Sequence, residues 1–77
     1  MNIGKTMKKI REAQGVSRKD LSEHLGMTES GLWKIENNKV MPKHKTILAF
    51  CKYTATPIAR LFVESIEDQD WIAPVWF

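Results

Sequence analysis

Residues 17–36, SRKDLSEHLGMTESGLWKIE, decide the fold of this chain, because they place a helix-capping residue before each of two apolar stripes and a glycine between them. Ser17 suits an N-cap, and Asp20 follows three residues later in place of the glutamate of a capping box. Gly26 can adopt the positive φ that a sharp exit from a helix requires. The stretch therefore predicts two short helices that meet at a tight corner.

The apolar spacing predicts that each of these helices buries one face. Leu21 and Leu25 lie one turn apart in the first helix, and Leu32 and Ile35 supply the buried side of the second. Thr28 is placed to cap the second helix. The residues that remain outside on the second helix are Glu29, Ser30, Trp33, Lys34 and Asn37.

Gly31 is an unusual residue for the interior of the second helix. Glycine in a helix is less favourable than alanine by roughly 1 kcal/mol. Its presence predicts that another group approaches the helix closely at this position.

Three further helices are predicted around this pair, so the expected fold class is all-α, a compact domain of five helices. The first helix runs from about Ile3 to Gln14, and the fourth from about Lys45 to Tyr53. Thr56 and Pro57 read as the N-cap and first-turn proline of the fifth. In the fourth helix the predicted core residues are Ile47, Leu48, Phe50 and Cys51.

The C-terminal residues 67–77 form a separate region, acidic and then hydrophobic, after a domain predicted to span residues 1–66. Residues 1–60 carry a net charge of +7, whereas residues 61–77 carry four acids and no base, a net charge of −4. A basic body suits a polyanion, which would repel an acidic tail, so we expect the tail to point away from such a partner.

The apolar residues of this tail need burial, and Pro74 favours an extended conformation for them. Three interpretations are open: the tail folds back over its own domain, docks against a second copy of the chain, or binds another protein. The residues predicted to make the dimer or partner contact are Trp71, Ile72, Val75, Trp76 and Phe77.

The chain resembles the lambda-repressor-like family, which includes Cro-like regulators, antitoxin components and restriction-modification controllers. The resemblance covers about residues 5–62 and is carried by GVSRKDLSEHLGMT at 15–28 and KIENNKVMPKHKTI at 34–47. The chain departs from the family at Arg18, where Gln is commonest, and at Thr54, where Gly is common. The resemblance implies a compact helical domain that binds double-stranded DNA.

On this reading the helix after Thr28 is the recognition helix, whose N-terminal end enters the major groove. The family commonly uses the positions of Glu29, Ser30 and Lys34 for base contacts. Glu29 can accept from cytosine N4 or act as a helix-dipole partner worth about 0.3–1 kcal/mol. Two roles are open for Trp33: it is expected either to contact a thymine methyl or a sugar, or to pack against a neighbouring helix. The predicted base contacts are Glu29, Ser30, Trp33 and Lys34.

Phosphate contacts are predicted on both sides of the recognition helix. Arg18 opens the preceding helix, where the helix dipole favours an anion, and the family often uses this position against the DNA backbone. The other predicted phosphate contacts are Asn38, Lys39, Lys43 and Lys45. The resemblance further implies a structural ion pair between Arg11 and Glu36, which would fix the angle of the recognition helix.

The function implied is that of a phage or bacterial transcriptional regulator, repressor or Cro-like, acting as a homodimer on an inverted-repeat operator. One recognition helix covers too few base pairs, so two half-sites about one helical turn apart are expected. RNA polymerase or a cognate protein is a further partner. The alternative is an antitoxin-type protein whose tail neutralises a partner while the body autoregulates its operon.

The composition argues against an enzyme, a metal protein and a membrane protein. Cys51 is the only cysteine and no Cys/His spacing typical of a metal site is present. His24 and His44 have no nucleophile or orienting acid at a telling spacing. No apolar run approaches membrane-spanning length, and charges occupy the place of a signal peptide's apolar segment. We therefore predict a cytoplasmic protein without cofactor, metal or catalytic residues.

Overall fold

The computed structural model describes residues 2–67, and these residues form five α-helices and no strand. The prediction of an all-α, five-helix fold is therefore confirmed. The predicted tail contacts of Trp71, Ile72, Val75, Trp76 and Phe77 lie outside the described residues. The helices are α1 (Ile3–Ala13), α2 (Arg18–Leu25), α3 (Glu29–Glu36), α4 (His44–Thr54) and α5 (Ile58–Glu67).

The α2–α3 pair begins and turns with the groups that the sequence predicts. The hydroxyl of Ser17 accepts a hydrogen bond from the backbone N–H of Asp20 at 3.0 Å, and that of Thr28 accepts from Gly31 at 3.0 Å. Gly26 ends α2 in the left-handed region at φ 69°. A Cβ on Gly31 would meet only the Thr28 hydroxyl within 4 Å, so the protein itself leaves this surface open.

One hydrophobic core lies between the five helices. It fixes α3 from one side only, because α3 packs against α1 and α2 while α4 packs against α2, α1 and α5. The polar side of α3 is thereby left outside. The buried apolar side chains are Ile3, Met7, Leu21, Leu32, Ile35, Ile47, Phe50, Cys51 and Leu61.

The N-terminal end of α1 joins the ends of α3 and α5. A Cβ on Gly4 would overlap the carbonyl group of Ile35, so only glycine lets α1 approach α3 this closely. The side chain of Asn38 donates to that of Asn2 at 3.5 Å, and the N–H of Asn2 donates to the Ser65 carbonyl at 3.5 Å. The loop after α3 and the last turn of α5 therefore both contact Asn2.

The prediction that Leu48 belongs to the core is wrong. The buried stripe of α4 consists of Ile47, Phe50, Cys51 and Thr54, which recur at the three- and four-residue spacing of one helix face. Leu48 lies outside that stripe and is 46% exposed. A run of apolar residues did not reveal which of them faces inward.

The corner between α4 and α5 is formed by buried hydroxyls and a strained alanine. The Thr54 hydroxyl donates to the Phe50 carbonyl at 2.8 Å and lies 3.0 Å from the Thr56 hydroxyl. Ala55 follows in the left-handed region with φ 55°. The resemblance places the family's common glycine at Thr54, but Ala55 is the residue that adopts the glycine-like conformation.

Replacing Ala55 by glycine is expected to stabilise the protein by up to ~1 kcal/mol. A non-glycine residue in the left-handed region is unfavourable by roughly 1–2 kcal/mol, and the larger unfolded-state entropy of glycine offsets part of this gain. Thermal unfolding of Ala55→Gly should show a raised midpoint. The matched control is Ala59→Gly in α5, which should lower it because Ala59 is helical. A lower midpoint for Ala55→Gly would contradict the strain argument.

Candidate nucleic-acid interface

The four predicted base-contact residues lie together on the outer side of α3. Glu29, Ser30, Trp33 and Lys34 are all exposed, and Trp33 is 44% exposed although it is the largest side chain of the helix. This surface, which we call the reader face, begins at the N-cap Thr28 and ends before the buried Glu36. It is a polar face carrying an acid, a hydroxyl, an indole and an amine, groups able to reach base edges in a major groove.

The predicted phosphate-contact residues after α3 lie on a loop that folds back on that helix. The N–H of Lys39 donates to the carbonyl of Lys34 at 2.8 Å, and the N–H of Val40 lies 3.3 Å from the same oxygen. Asn38 takes a left-handed conformation with φ 59°, which turns the chain. The exposed lysines of the loop and the start of α4 are Lys39, Lys43 and Lys45.

Glu36 is fully buried and receives two arginines. Arg11 donates through Nε to Oε2 at 2.8 Å and through Nη2 to Oε1 at 3.2 Å, and its Nη1 donates to the carbonyl of Val16 at 2.9 Å. The two ion-paired side chains are 8% and 0% exposed. This pair, implied by the resemblance, fastens the end of α3 to α1 and to the loop before α2.

The second arginine on Glu36 is Arg18, which the sequence predicts only as a phosphate contact. Its Nε donates to Oε1 of Glu36 at 3.1 Å, and its side chain is 29% exposed. Two guanidinium groups on one carboxylate give this three-residue cluster a formal net charge of +1. No local pattern signals this contact, because 18 residues separate Arg18 from Glu36.

A groove of about 660 Å³ runs beside the reader face, between the α2–α3 corner and the start of α4. Its apolar residues include Val40 and Met41, which are 51% and 66% exposed. Lysines stand beside this apolar surface. The residues that line the groove include Met27, Ile35, Val40 and Met41 together with Lys34, Lys43 and Lys45. The sequence did not predict this groove, because four separate segments of the chain build it.

Neither histidine belongs to the reader face, nor does the cysteine, although His24 lines the groove beside that face. His24 stacks on Tyr53 with ring centroids 4.0 Å apart, a contact that the sequence did not predict. His44 is exposed at the start of α4. Burial raises the pKa of the Cys51 thiol, so this residue is held in the unreactive protonated form at neutral pH.

Neither a metal-binding cluster nor a membrane-spanning helix occurs in the part of the chain that the structure describes. Within residues 2–67, no three His, Cys, Asp or Glu residues are placed to hold a metal ion. None of the five described helices is long and apolar enough to cross a membrane.

The fold is similar to that of a known gene regulator. Two crystal structures of the clp gene regulator ClgR from Corynebacterium glutamicum superpose with TM-scores of 0.83 and 0.86. The first match has 17% sequence identity and covers 86% of this chain and 70% of that one. The second has 15% identity and covers 92% of each. At this level of identity the likeness establishes the shared fold.

The sequence also matches a family model over most of its length. No match was found among curated proteins. The helix-turn-helix domain family matches residues 2–61, which include four complete helices, the corner at Gly26 and the whole reader face. The chain therefore belongs to the helix-turn-helix domain family, in agreement with its resemblance to the lambda-repressor-like and Cro-like DNA-binding proteins.

Proposed function

We propose that this helix-turn-helix protein is a transcriptional regulator that recognises an inverted-repeat operator as a homodimer. The observation that carries the proposal is the reader face of α3, an exposed row of base-reading groups on a helix fixed by the buried Arg11–Glu36 pair. A rigid helix with a free polar face suits insertion into a major groove. The ClgR structures, described as those of a gene regulator, support the same class of function.

The charge distribution supports a polyanionic partner. All twelve lysines and arginines of the chain lie within residues 1–60. Several of them are exposed around α3, where Lys39 and Lys43 stand on the loop beside the reader face. Lysines flanking a recognition helix neutralise phosphates, and such contacts position the helix without reading sequence.

The roles that we propose follow from this placement. Glu29 and Lys34 read bases, with Ser30 and Trp33 beside them on the same face. On one side of the reader face the phosphate backbone of DNA is contacted by four residues, Lys39, Lys43, Lys45 and Asn38. On the other side Arg18 contacts the phosphate backbone through the exposed part of its guanidinium group, which Glu36 already orients.

The proposed homodimer is supported by an apolar face on α5. Ile58, Phe62 and Ile66 recur every four residues and form one stripe, and Val63 lies beside it. Ile58, Val63 and Ile66 are exposed and Phe62 is half-buried, although they are large apolar side chains. A second copy would remove this surface from water. Light scattering on the purified protein should give twice the mass of the chain.

The base-reading roles predict changes in sequence preference. Lys34→Ala and Glu29→Ala should each lose on the order of 1–3 kcal/mol of discrimination at the base pair they contact. Selection of bound duplexes from a random pool, followed by sequencing, measures the preference of each variant and also gives the half-site and spacing of the wild-type protein.

Lys39→Ala is the matched control for these two variants. It removes a charge from the same surface but from a proposed phosphate contact, so it should weaken all sequences alike and leave the preference unchanged. Arg18→Ala is less suitable, because it also removes a partner of the buried Glu36. Unchanged preferences in both Lys34→Ala and Glu29→Ala would refute the reader face as the recognition surface.

A further inference from the structure

We propose that the C-terminal segment, residues 68–77, binds in the groove beside α3 of its own chain and competes there with DNA. The regulatory consequence rests on the proposed DNA-binding function, whereas the docking itself does not.

The groove combines an apolar floor with a basic rim. Val40 and Met41 are among the most exposed large apolar side chains of the described residues, and Met27 and Ile35 lie beside them in the same groove. Lys34, Lys43 and Lys45 line it as well. A ligand that matches this surface carries acidic groups together with large apolar side chains.

The C-terminal sequence has that combination. EDQDWIAPVWF, residues 67–77, holds three acids and no base, followed by two tryptophans, a phenylalanine, an isoleucine and a valine. No other stretch of comparable length in the chain unites several acids, no base and this many aromatic residues. Pro74 favours an extended backbone, which suits a groove that is open along one side.

The segment follows α5, whose last turn contacts Asn2 near the N-terminus. The Ser65 carbonyl accepts from the N–H of Asn2, and the Asn2 side chain accepts from Asn38, which stands two residues before Val40. The last turn of α5 and the start of the loop that lines the groove are therefore linked through one residue, Asn2. Ten further residues span up to roughly 33 Å when extended, more than the path of two contacts and two residues that leads from Ser65 to Val40.

Docking of the segment and binding of DNA exclude each other, because both use the same cations. Lys34, Lys43 and Lys45 are proposed contacts to bases or phosphates, and they also line the groove. An acidic segment next to bound DNA would be repelled by the phosphates, as the charge distribution of the sequence already predicts. If the segment occupies the groove in about 90% of the molecules, the apparent affinity for DNA falls by about tenfold.

The methionines provide a direct test on the full-length chain. Met27 and Met41 line the groove, whereas Met7 is buried in the core. We compare the wild type with the variant Trp71→Ser, Trp76→Ser, Phe77→Ser, which removes aromatic rings without changing charge. In methyl NMR spectra the Met27 and Met41 resonances should shift when the rings are removed and the Met7 resonance should not. The variant should also bind a duplex of arbitrary sequence about tenfold more tightly.

A matched control and three outcomes separate this proposal from its alternatives. Leu48→Ser removes an exposed apolar group outside the groove and should change neither the Met27 and Met41 resonances nor the affinity for the duplex. Unmoved Met27 and Met41 resonances in the triple variant would overturn the proposal. The proposal would also be overturned if the triple variant were a monomer while the wild type is a dimer, because the segment would then serve the dimer. The same holds if the chemical-shift differences between the two proteins vanish on dilution. Shifts without binding of any duplex by either protein would leave the docking in place and defeat the proposed function instead.

Discussion

Glu36→Gln is expected to destabilise the protein by about 3–5 kcal/mol, because it leaves the buried guanidinium of Arg11 without its counter-charge. The same change removes the carboxylate from Arg18. In a domain of this size 1 kcal/mol corresponds to a shift of about 4–8 °C in the melting midpoint. Thermal unfolding followed by circular dichroism should therefore show a midpoint at least ~12 °C lower.

Two controls separate the burial of the charge from its removal. Glu64→Gln breaks the exposed Arg60–Glu64 pair, whose Nε–Oε1 distance is 3.1 Å, and should change stability by less than ~1 kcal/mol. The double variant Arg11→Met, Glu36→Met removes both buried charges and should recover most of the lost stability. If Glu36→Gln were as mild as Glu64→Gln, Glu36 would not fasten the recognition helix.

The features that sequence predicted well are those governed by neighbouring residues. Ser17 and Thr28 cap their helices and Gly26 turns the chain, because a cap needs only a donor three residues away and a turn needs only a permitted φ. Helix periodicity alone predicts that Leu32 and Ile35 face the core while the residues of the reader face stay outside. The all-α fold and the exposure of the reader face were predictable for these reasons.

The features that sequence missed depend on distant segments or on small angular differences. Arg18 meets Glu36 only after α2 and α3 have packed, and the groove exists only once the loop after α3 lies beside α4. Leu48 differs from the buried Ile47 by one position on the helix, about 100° of rotation. Such angles are set by the packing of whole helices, which a linear pattern does not contain.

The buried ion pair links folding to the proposed reading of DNA. Glu36 ends the helix that carries the reader face, and its two arginines come from α1 and from the start of α2. Fixing one end of α3 in this way keeps Glu29 and Lys34 at a constant angle to the lysines of the loop. Base contacts tolerate little displacement, so a rigid attachment favours selective recognition.

Binding to duplex DNA is expected to fall by roughly 10⁴-fold or more between 50 and 200 mM salt. We expect the exposed cations around α3 to neutralise about four to six phosphates per protomer, and each contributes a slope of about −0.9 to the log–log plot of affinity against salt. A dimer should therefore show a slope of about −7 to −11. Fluorescence anisotropy of a labelled duplex across this salt range measures it.

Single-charge variants assign that slope to the proposed surface. Lys39→Gln should reduce its magnitude by about 0.9 per protomer, since Lys39 stands exposed on the loop beside the reader face. Arg60→Gln removes the same charge from α5, which packs on α1 and α4, and should leave the slope unchanged. A wild-type affinity that barely responds to salt would exclude DNA as the partner. An equal reduction of the salt slope in both variants would show that DNA binding depends on the overall charge of the protein and not on a surface centred on α3.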